Sequence, residues 1–220
     1  MAEPTLHGYW RSSAAYRVRI ALNLKGLTVR HVPVPLRTGV QAGEAHRALN
    51  PAGLVPVWEE DGFRLSQSLA IIEYLDERHP DPPLLSGDAR TRAVIRQIAL
   101  DIAADIHPIG NLRVLDALTA NFGADAEARA AWNRHWIAVG FAAVEVRLAE
   151  TAGRFAVGDS PTLADLCLVP QVYNARRFGL DLDPYPRIVA ADAAARALAA
   201  FAAAAPEAQA DADWRVLRTS

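Results

Sequence analysis

Ser12 and Ser13 stand where Leu6–His7–Gly8–Tyr9–Trp10–Arg11 gives way to Ala14–Ala15–Tyr16–Arg17–Val18–Arg19–Ile20–Ala21–Leu22. That order predicts a strand, a tight turn carrying two serines, and an amphipathic helix opening directly on them. A serine ahead of good helix formers is a natural N-cap, and the first helical turn presents unpaired N–H groups with a partial positive charge. Such a place can hold an anion. Taken alone, Ser12 is equally a plain helix cap, and only the rest of the chain gives it a second role.

Further polar groups interrupt otherwise apolar stretches. Asp105, His107, Asn111 and Arg113 crowd into a segment rich in alanine and leucine, and Arg177 directly precedes Phe178. Arginine's planar fork suits carboxylates. Each arginine also reads as a surface or interdomain ion pair, and His107 as a satisfied core histidine. At i and i+4 of one helix, His107 and Asn111 would share a face. Cys167, set among Leu166, Leu168 and Val169, reads as core filler, and a single cysteine makes neither an internal disulfide nor a Cys-rich metal site. The sequence carries no zinc, haem or phosphate-loop motif.

The elements that position these groups follow from period and punctuation. Thr5 to Gly8 and Val29 to Pro35 predict short strands flanking a helix from Ala14 to Lys25, with Gly26 as its stop. Glu44 to Leu49 predicts a short helix, Val55 to Glu60 and Phe63 to Leu65 a hairpin around Asp61–Gly62, and Ser66 to Arg78 a capped helix. This is the order of a thioredoxin-like domain. Pro80, Pro82, Pro83 and Gly87 then mark a boundary.

Beyond it the pattern is helical over Arg90 to Asn121, Ala126 to Ala152, Thr162 to Phe178 and Arg187 to Ala204. Pro108 should kink the first of these. Thr162 and Asp165 have capping-box spacing, with Asp in place of Glu or Gln. The run Ala190 to Ala205 reports helix propensity, with Val189, Leu198 and Phe201 as its packing residues. Trp214 to Ser220 is expected to gain order only by contact with the body.

Composition narrows the class. A chain of 220 residues makes one large domain or two small ones, and a formal charge of −2 leaves no electrostatic footprint for nucleic acid or an anionic membrane. No apolar run reaches the roughly 20 residues of a bilayer span, and no basic-then-apolar leader opens the chain, so a cytoplasmic protein is expected.

Four further segments, Asn50–Val57, Leu65–Leu75, Asp105–Leu115 and Thr162–Phe178, combine with the Ser12–Ser13 turn. Together they resemble the zeta class of the glutathione transferases over nearly the whole chain. The double-serine turn and the Arg177–Phe178 block are specific to that class, whereas Val55–Pro56 and Gln67–Ser68 mark the wider superfamily. The resemblance implies an α/β thioredoxin-like N-terminal domain, residues 1–84, an all-α C-terminal domain, residues 85–220, a homodimer, and glutathione as cofactor.

A tripeptide with two carboxylates would, as the resemblance implies, be recognised along its backbone, by Val55 ahead of a cis Pro56. Ser68, Gln67 and the amides behind them would take the γ-glutamyl carboxylate, and His107 and Asn111 would touch glutathione or substrate. Ser12, helped by Ser13 and the amides of Ala14 and Ala15, would hold the thiolate of a group whose free pKa is ~8.5. The family often has cysteine third in the turn; Ala14 stands there, which excludes a protein thiol from the chemistry.

The implied reaction is thiolate addition to a cis double bond, rotation and elimination, converting maleylacetoacetate to fumarylacetoacetate in tyrosine and phenylalanine catabolism. Arg11, Arg113 and Arg177 would read the two carboxylates of this small substrate and the charge on its carbonyl oxygen. Isomerisation of maleylpyruvate in the gentisate route, halide displacement from small acids, and a non-catalytic glutathione-binding module are the alternatives.

Overall fold

Four short strands of four residues each build one sheet. Strand β1 (Thr5–Gly8) leads into helix α1 (Ser13–Leu24), which crosses over to β2 (Arg30–Pro33), parallel to β1. Parallel neighbours need such a crossover. After 3-10 turns at Leu36–Thr38 and Val40–Ala42 and the short helix α2 (Glu44–Arg47), β3 (Val57–Glu60) runs antiparallel to β1, and β4 (Phe63–Ser66) closes a hairpin on β3. The strand order is β2-β1-β3-β4. Helix α3 (Ser68–Arg78) follows, and Leu6, Val18, Ile20, Val57, Trp58, Ile71, Ile72 and Leu75 are buried as the core of this layer.

The computed structural model describes residues 3–213; Trp214–Ser220, for which order by contact was expected, lie outside the described residues. Among the described residues, those up to Leu84 together with those from Leu198 form one compact unit, and Leu85–Ala197 form a second. The starts of β3 and α3 each lie two residues later than expected. β3 starts at Val57, not Val55, because the Val55–Pro56 bond is cis and proline has no N–H for the ladder. α3 starts at Ser68, not Ser66, because Ser66 pairs with Val57 in the hairpin and Gln67, at φ 74°, turns the chain.

The second unit is helical: α4 (Ala89–Leu100), a π-helical stretch (Asp101–Ile106), α5 (His107–Ile109), α6 (Leu112–Phe122), α7 (Ala126–Thr151), α8 (Leu163–Arg177) and α9 (Pro186–Arg196). The single helix expected over Arg90 to Asn121 is therefore broken. Pro108 has no N–H to return to the preceding turn and its ring crowds that turn's carbonyl, and the ladder ahead of it widens to π spacing. At Gly110 and Asn111 it ends; Asn111 is extended (φ −67°, ψ 151°) and caps α6.

The capping box at α8 forms as expected. Asp165 Oδ2 accepts from the Thr162 N–H (2.8 Å) and hydroxyl (3.1 Å), and Oδ1 from the Ala156 N–H (2.8 Å). Burial pushes its carboxyl up to about 6, against these bonds, which favour the charged form. Cys167 is fully buried in the same helix. No helix among the described residues is long and apolar enough to cross a membrane.

The alanine-rich stretch is not one helix over Arg187 to Ala204. Leu198 is extended (ψ 135°), and α10 (Ala199–Ala204) starts anew. Ile188, Ala191 and Ala195 bury the α9 face, while Val189 and Leu198 are only half-buried; Phe201 is fully buried. By contact, residues from Leu198 belong with the first unit rather than with an 85–220 domain: Tyr16 Oη donates to the Phe201 carbonyl (3.4 Å) and Asn23 Nδ2 to that of Ala200 (2.9 Å).

A buried ammonium fastens the proline-rich stretch after α3. Lys25 caps α1, and its enclosed Nζ donates to Asp76 Oδ1 (2.8 Å) and to the carbonyls of His79 (2.5 Å) and Pro82 (3.0 Å). Asp76 Oδ1 also accepts from the Leu84 N–H (2.8 Å). Removing one member of a buried ion pair leaves the other charge uncompensated and costs about 3–5 kcal/mol. Lys25→Met should lose a stability of that order, read from the urea midpoint at constant m-value.

Candidate active site

Strand register brings three chain turns to one end of the sheet. His7 lies opposite Val57, and Val57 opposite Ser66. The segments just beyond them are the β1–α1 turn with Ser12, the cis Val55–Pro56 bond, and the start of α3 at Gln67–Ser68. A hydrogen bond from Arg17 Nη1 on α1 to Ser68 Oγ on α3 (3.2 Å) ties two of these together.

Ser12 caps α1, with its Oγ accepting from the Ala15 N–H (3.2 Å) and its own N–H donating to the Tyr9 carbonyl (2.9 Å). Its hydroxyl proton is then directed away from the helix, and no acidic side chain occupies the first turn to offset the helix charge. Ser13, the first helical residue, is buried. The Ala15 amide, expected to face an anion, instead serves Ser12. Gly8 admits this turn, since a Cβ there would meet the Ala15 Cβ at 3.3 Å.

The cis bond at Pro56 is preceded by a pinned carbonyl. His46 Nε2 lies 3.0 Å from the Leu54 oxygen, Asn50 Nδ2 donates to the same atom (2.9 Å), and Asn50 Oδ1 accepts from the Ala52 N–H (3.1 Å). Sequence reasoning assigned no role to His46 or Asn50; the only local signal is the Asn50–Pro51 turn. Gln67 is exposed and makes no side-chain cap, so the first turn of α3 is not closed by its own N-cap residue. Ser68 is buried, and because its oxygen accepts from Arg17, its proton is available to another group. Arg17, 1% exposed, was also unassigned.

In the second unit, His107 opens α5 and is half-buried, while Asn111 accepts from the Arg113 N–H (3.3 Å) as the cap of α6. The two do not share a helix face, because the helix ends between them. Arg113 is exposed near the start of α6, and Asp105 is exposed in the π-helical stretch. Arg177, half-buried at the end of α8, lays its guanidinium over the Phe178 ring (4.1 Å to the centroid). In the first unit Arg11 lies over Trp10 in the same way (5.4 Å). Stacking holds a flat cation in a fixed direction.

Residues 11–78 match the glutathione S-transferase N-terminal domain. A probable maleylacetoacetate isomerase of Vibrio cholerae is 53% identical over 211 residues, covering 94% of this chain and 97% of its own. The holo structure of a maleyl pyruvate isomerase, a bacterial glutathione transferase of the zeta class, superposes with a TM-score of 0.93 at 48% identity, covering 95% of this chain and all of its own. The chain belongs to the zeta class of the glutathione transferases. A further neighbour, the maleylacetoacetate isomerase of Anaeromyxobacter dehalogenans, carries dicarboxyethyl glutathione and citrate in its active site; it has a TM-score of 0.88 and 45% identity, with 99% and 97% of the two chains covered.

In this zeta-class chain, α7 shapes the segment that bears His107 and Asn111. Trp132 Nε1 donates to the Ile109 carbonyl (3.0 Å), Asn133 fills the space beside Gly110, and Ile106 seats on Gly140, where a Cβ would lie 2.2 Å from Ile106 Cγ1. Gly140→Ala overpacks that contact and should cost about 1–3 kcal/mol. Adding Ile106→Ala removes the colliding atoms, so the double variant should be less destabilised than the two single losses summed, as measured by a denaturation cycle.

Proposed function

We propose that this transferase isomerises maleylacetoacetate to fumarylacetoacetate with glutathione as cofactor, in the cytoplasm and as a homodimer. The observation that carries the reading is the Ser12 hydroxyl, oriented by the Ala15 N–H at the start of α1, whose first turn holds no acidic side chain. It lies at the same sheet end as the cis Val55–Pro56 bond and the Ser68 helix start.

The residues present fit glutathione. The first turn of α3, with no side-chain cap and no acidic residue, suits a carboxylate, and the Ser68 proton, left over by Arg17, adds a donor. Gln67 offers a donor and an acceptor beside it. Val55, held in place through the Leu54 carbonyl, presents backbone groups ahead of Pro56 to an extended peptide.

The chemistry that bound glutathione supplies is reversible addition of its thiolate to a cis double bond, which permits rotation before the thiolate leaves. Ser12 favours the charged sulfur by donating its proton to it; because its oxygen already accepts a bond, that O–H is polarised. Ser13 and the helix charge of α1 act in the same sense. Arg11, Arg113 and Arg177 are assigned to the substrate's carboxylates and to the negative charge that develops on its ketone oxygen. His107 and the Asn111 amide are assigned to polar groups of glutathione or substrate. Maleylpyruvate, a second cis dicarboxylate with a conjugated ketone, is the alternative substrate, favoured by the likeness to a maleyl pyruvate isomerase.

An absorbance assay of both substrates, with and without glutathione, tests the reading. Turnover should require glutathione, and kcat/KM should be higher for maleylacetoacetate; the reverse ratio would assign the chain to maleylpyruvate, and turnover without glutathione would sink the mechanism. Ser12→Ala should lower kcat by about ten- to a hundredfold, since a charge-assisted hydrogen bond is worth about 1.5–3 kcal/mol. The fold should survive, because a lost N-cap costs only about 1 kcal/mol.

A further inference from the structure

The turn that presents Ser12 is fastened from outside by the C-terminal stretch of the same compact unit. Arg19, buried on α1, donates from Nη2 to the Trp10 carbonyl (2.9 Å), from Nη1 to the Tyr9 carbonyl (3.4 Å), and from Nε to the Ala204 carbonyl (3.0 Å). Beyond α10, Asp211 Oδ2 accepts from the Trp10 N–H (3.2 Å). The Tyr9 carbonyl that Arg19 reaches is the one that accepts from the Ser12 N–H (2.9 Å). Both polar backbone groups of Trp10, which is 2% exposed, are thus committed to these two side chains.

Burial pushes Arg19 down to about 10, with Asp211 the foremost influence opposing it. The other groups facing this guanidinium are the Tyr16 ring (5.4 Å) and His31 on β2, whose own pKa is lowered by burial and then by Arg19. Holding a cation in such a place is costly unless its hydrogen bonds are met. Here they are met by the carbonyls of the turn and of α10.

We propose that Asp211, acting with Arg19, is a positioning residue for the reaction: it fixes the Tyr9–Ser12 turn and so the direction in which the Ser12 hydroxyl points. This rests on the assignment of Ser12 to the thiolate. A hydroxyl that is misaimed loses most of its hydrogen bond to sulfur, while glutathione is still held elsewhere along its backbone.

The test is the thiol pKa of bound reduced glutathione, read from thiolate absorbance near 240 nm across pH, in the full chain. Asp211→Ala removes both the acceptor for Trp10 and a negative charge, and the two effects have opposite signs. Loss of the charge alone favours the thiolate and lowers the pKa, whereas loss of positioning raises it. The proposal expects a rise of about half a unit or more, with a severalfold fall in kcat at neutral pH and little change in KM for glutathione. Asp211→Asn keeps an oxygen for Trp10 and should restore the wild-type value or fall slightly below it.

Ser12→Ala is the reference. If it raises the thiol pKa while Asp211→Ala leaves it unchanged or lowers it, even with a reduced melting temperature, Asp211 is structural and the proposal is overturned. If Ser12→Ala itself leaves the thiol pKa unmoved, the Ser12 assignment fails and the proposal falls with it.

Discussion

The backbone ladder of β1, β3 and β4 is the constraint on which the rest depends. Its register, His7 to Val57 to Ser66, decides that the exits of β1 and β4 and the entry to β3 lie at one end of the sheet. A slip of one residue would turn the side chains of a strand to the opposite face and bury Glu59 in place of Trp58. With the register set, a serine at a helix start, a backbone edge before a proline and a second helix start become neighbours without any of them needing to contact the others directly. The chemistry assigned to the site uses backbone groups as much as side chains, which is why so much of it rests on where strands end.

Around this sheet, buried cations act as struts. Lys25 meets a carboxylate and two carbonyls, Arg17 a serine hydroxyl, and Arg19 three carbonyls on two segments. Each costs desolvation, and on Lys25 and Arg19 three acceptors converge to offset it. The return is direction rather than net stability: a many-donor group surrounded by fixed acceptors pins several stretches of backbone at once. In the second unit the same task falls to shape, with Ile106 seated on Gly140 and Asn133 beside Gly110.

Much of this was legible in the chain because it is local. The short β-type run over Thr5–Gly8, the Ser12 cap, the Asp61–Gly62 turn and the Thr162–Asp165 box each depend on residues within a few positions of one another. What stayed hidden depends on distant contact. Pro108 announced a disturbance, but whether the helix would bend or widen and stop depends on what α7 places against Ile106 and Gly110. Alanine propensity runs straight through Leu198; the break there follows from Phe201 and its neighbours meeting α1. Arg17 and Arg19 fall at buried helix positions, where a charge reads as an exposed face until its acceptors are seen. His46 and Asn50 converge on one carbonyl, an arrangement that leaves no periodic trace.

The turn at Ser12 carries Ala14 as its third residue, and the one cysteine of the chain, Cys167, is sealed inside α8. The single methionine is the first residue. No oxidisable side-chain sulfur lies in the Tyr9–Ala15 turn. Peroxide or a disulfide therefore has no foothold on Ser12 or its neighbours, and the sulfur at the reacting centre is replaced with each cofactor molecule. Sensitivity of the reaction to oxidative stress is then a property of the surrounding ratio of reduced to oxidised glutathione, set by the cell and not by the chain.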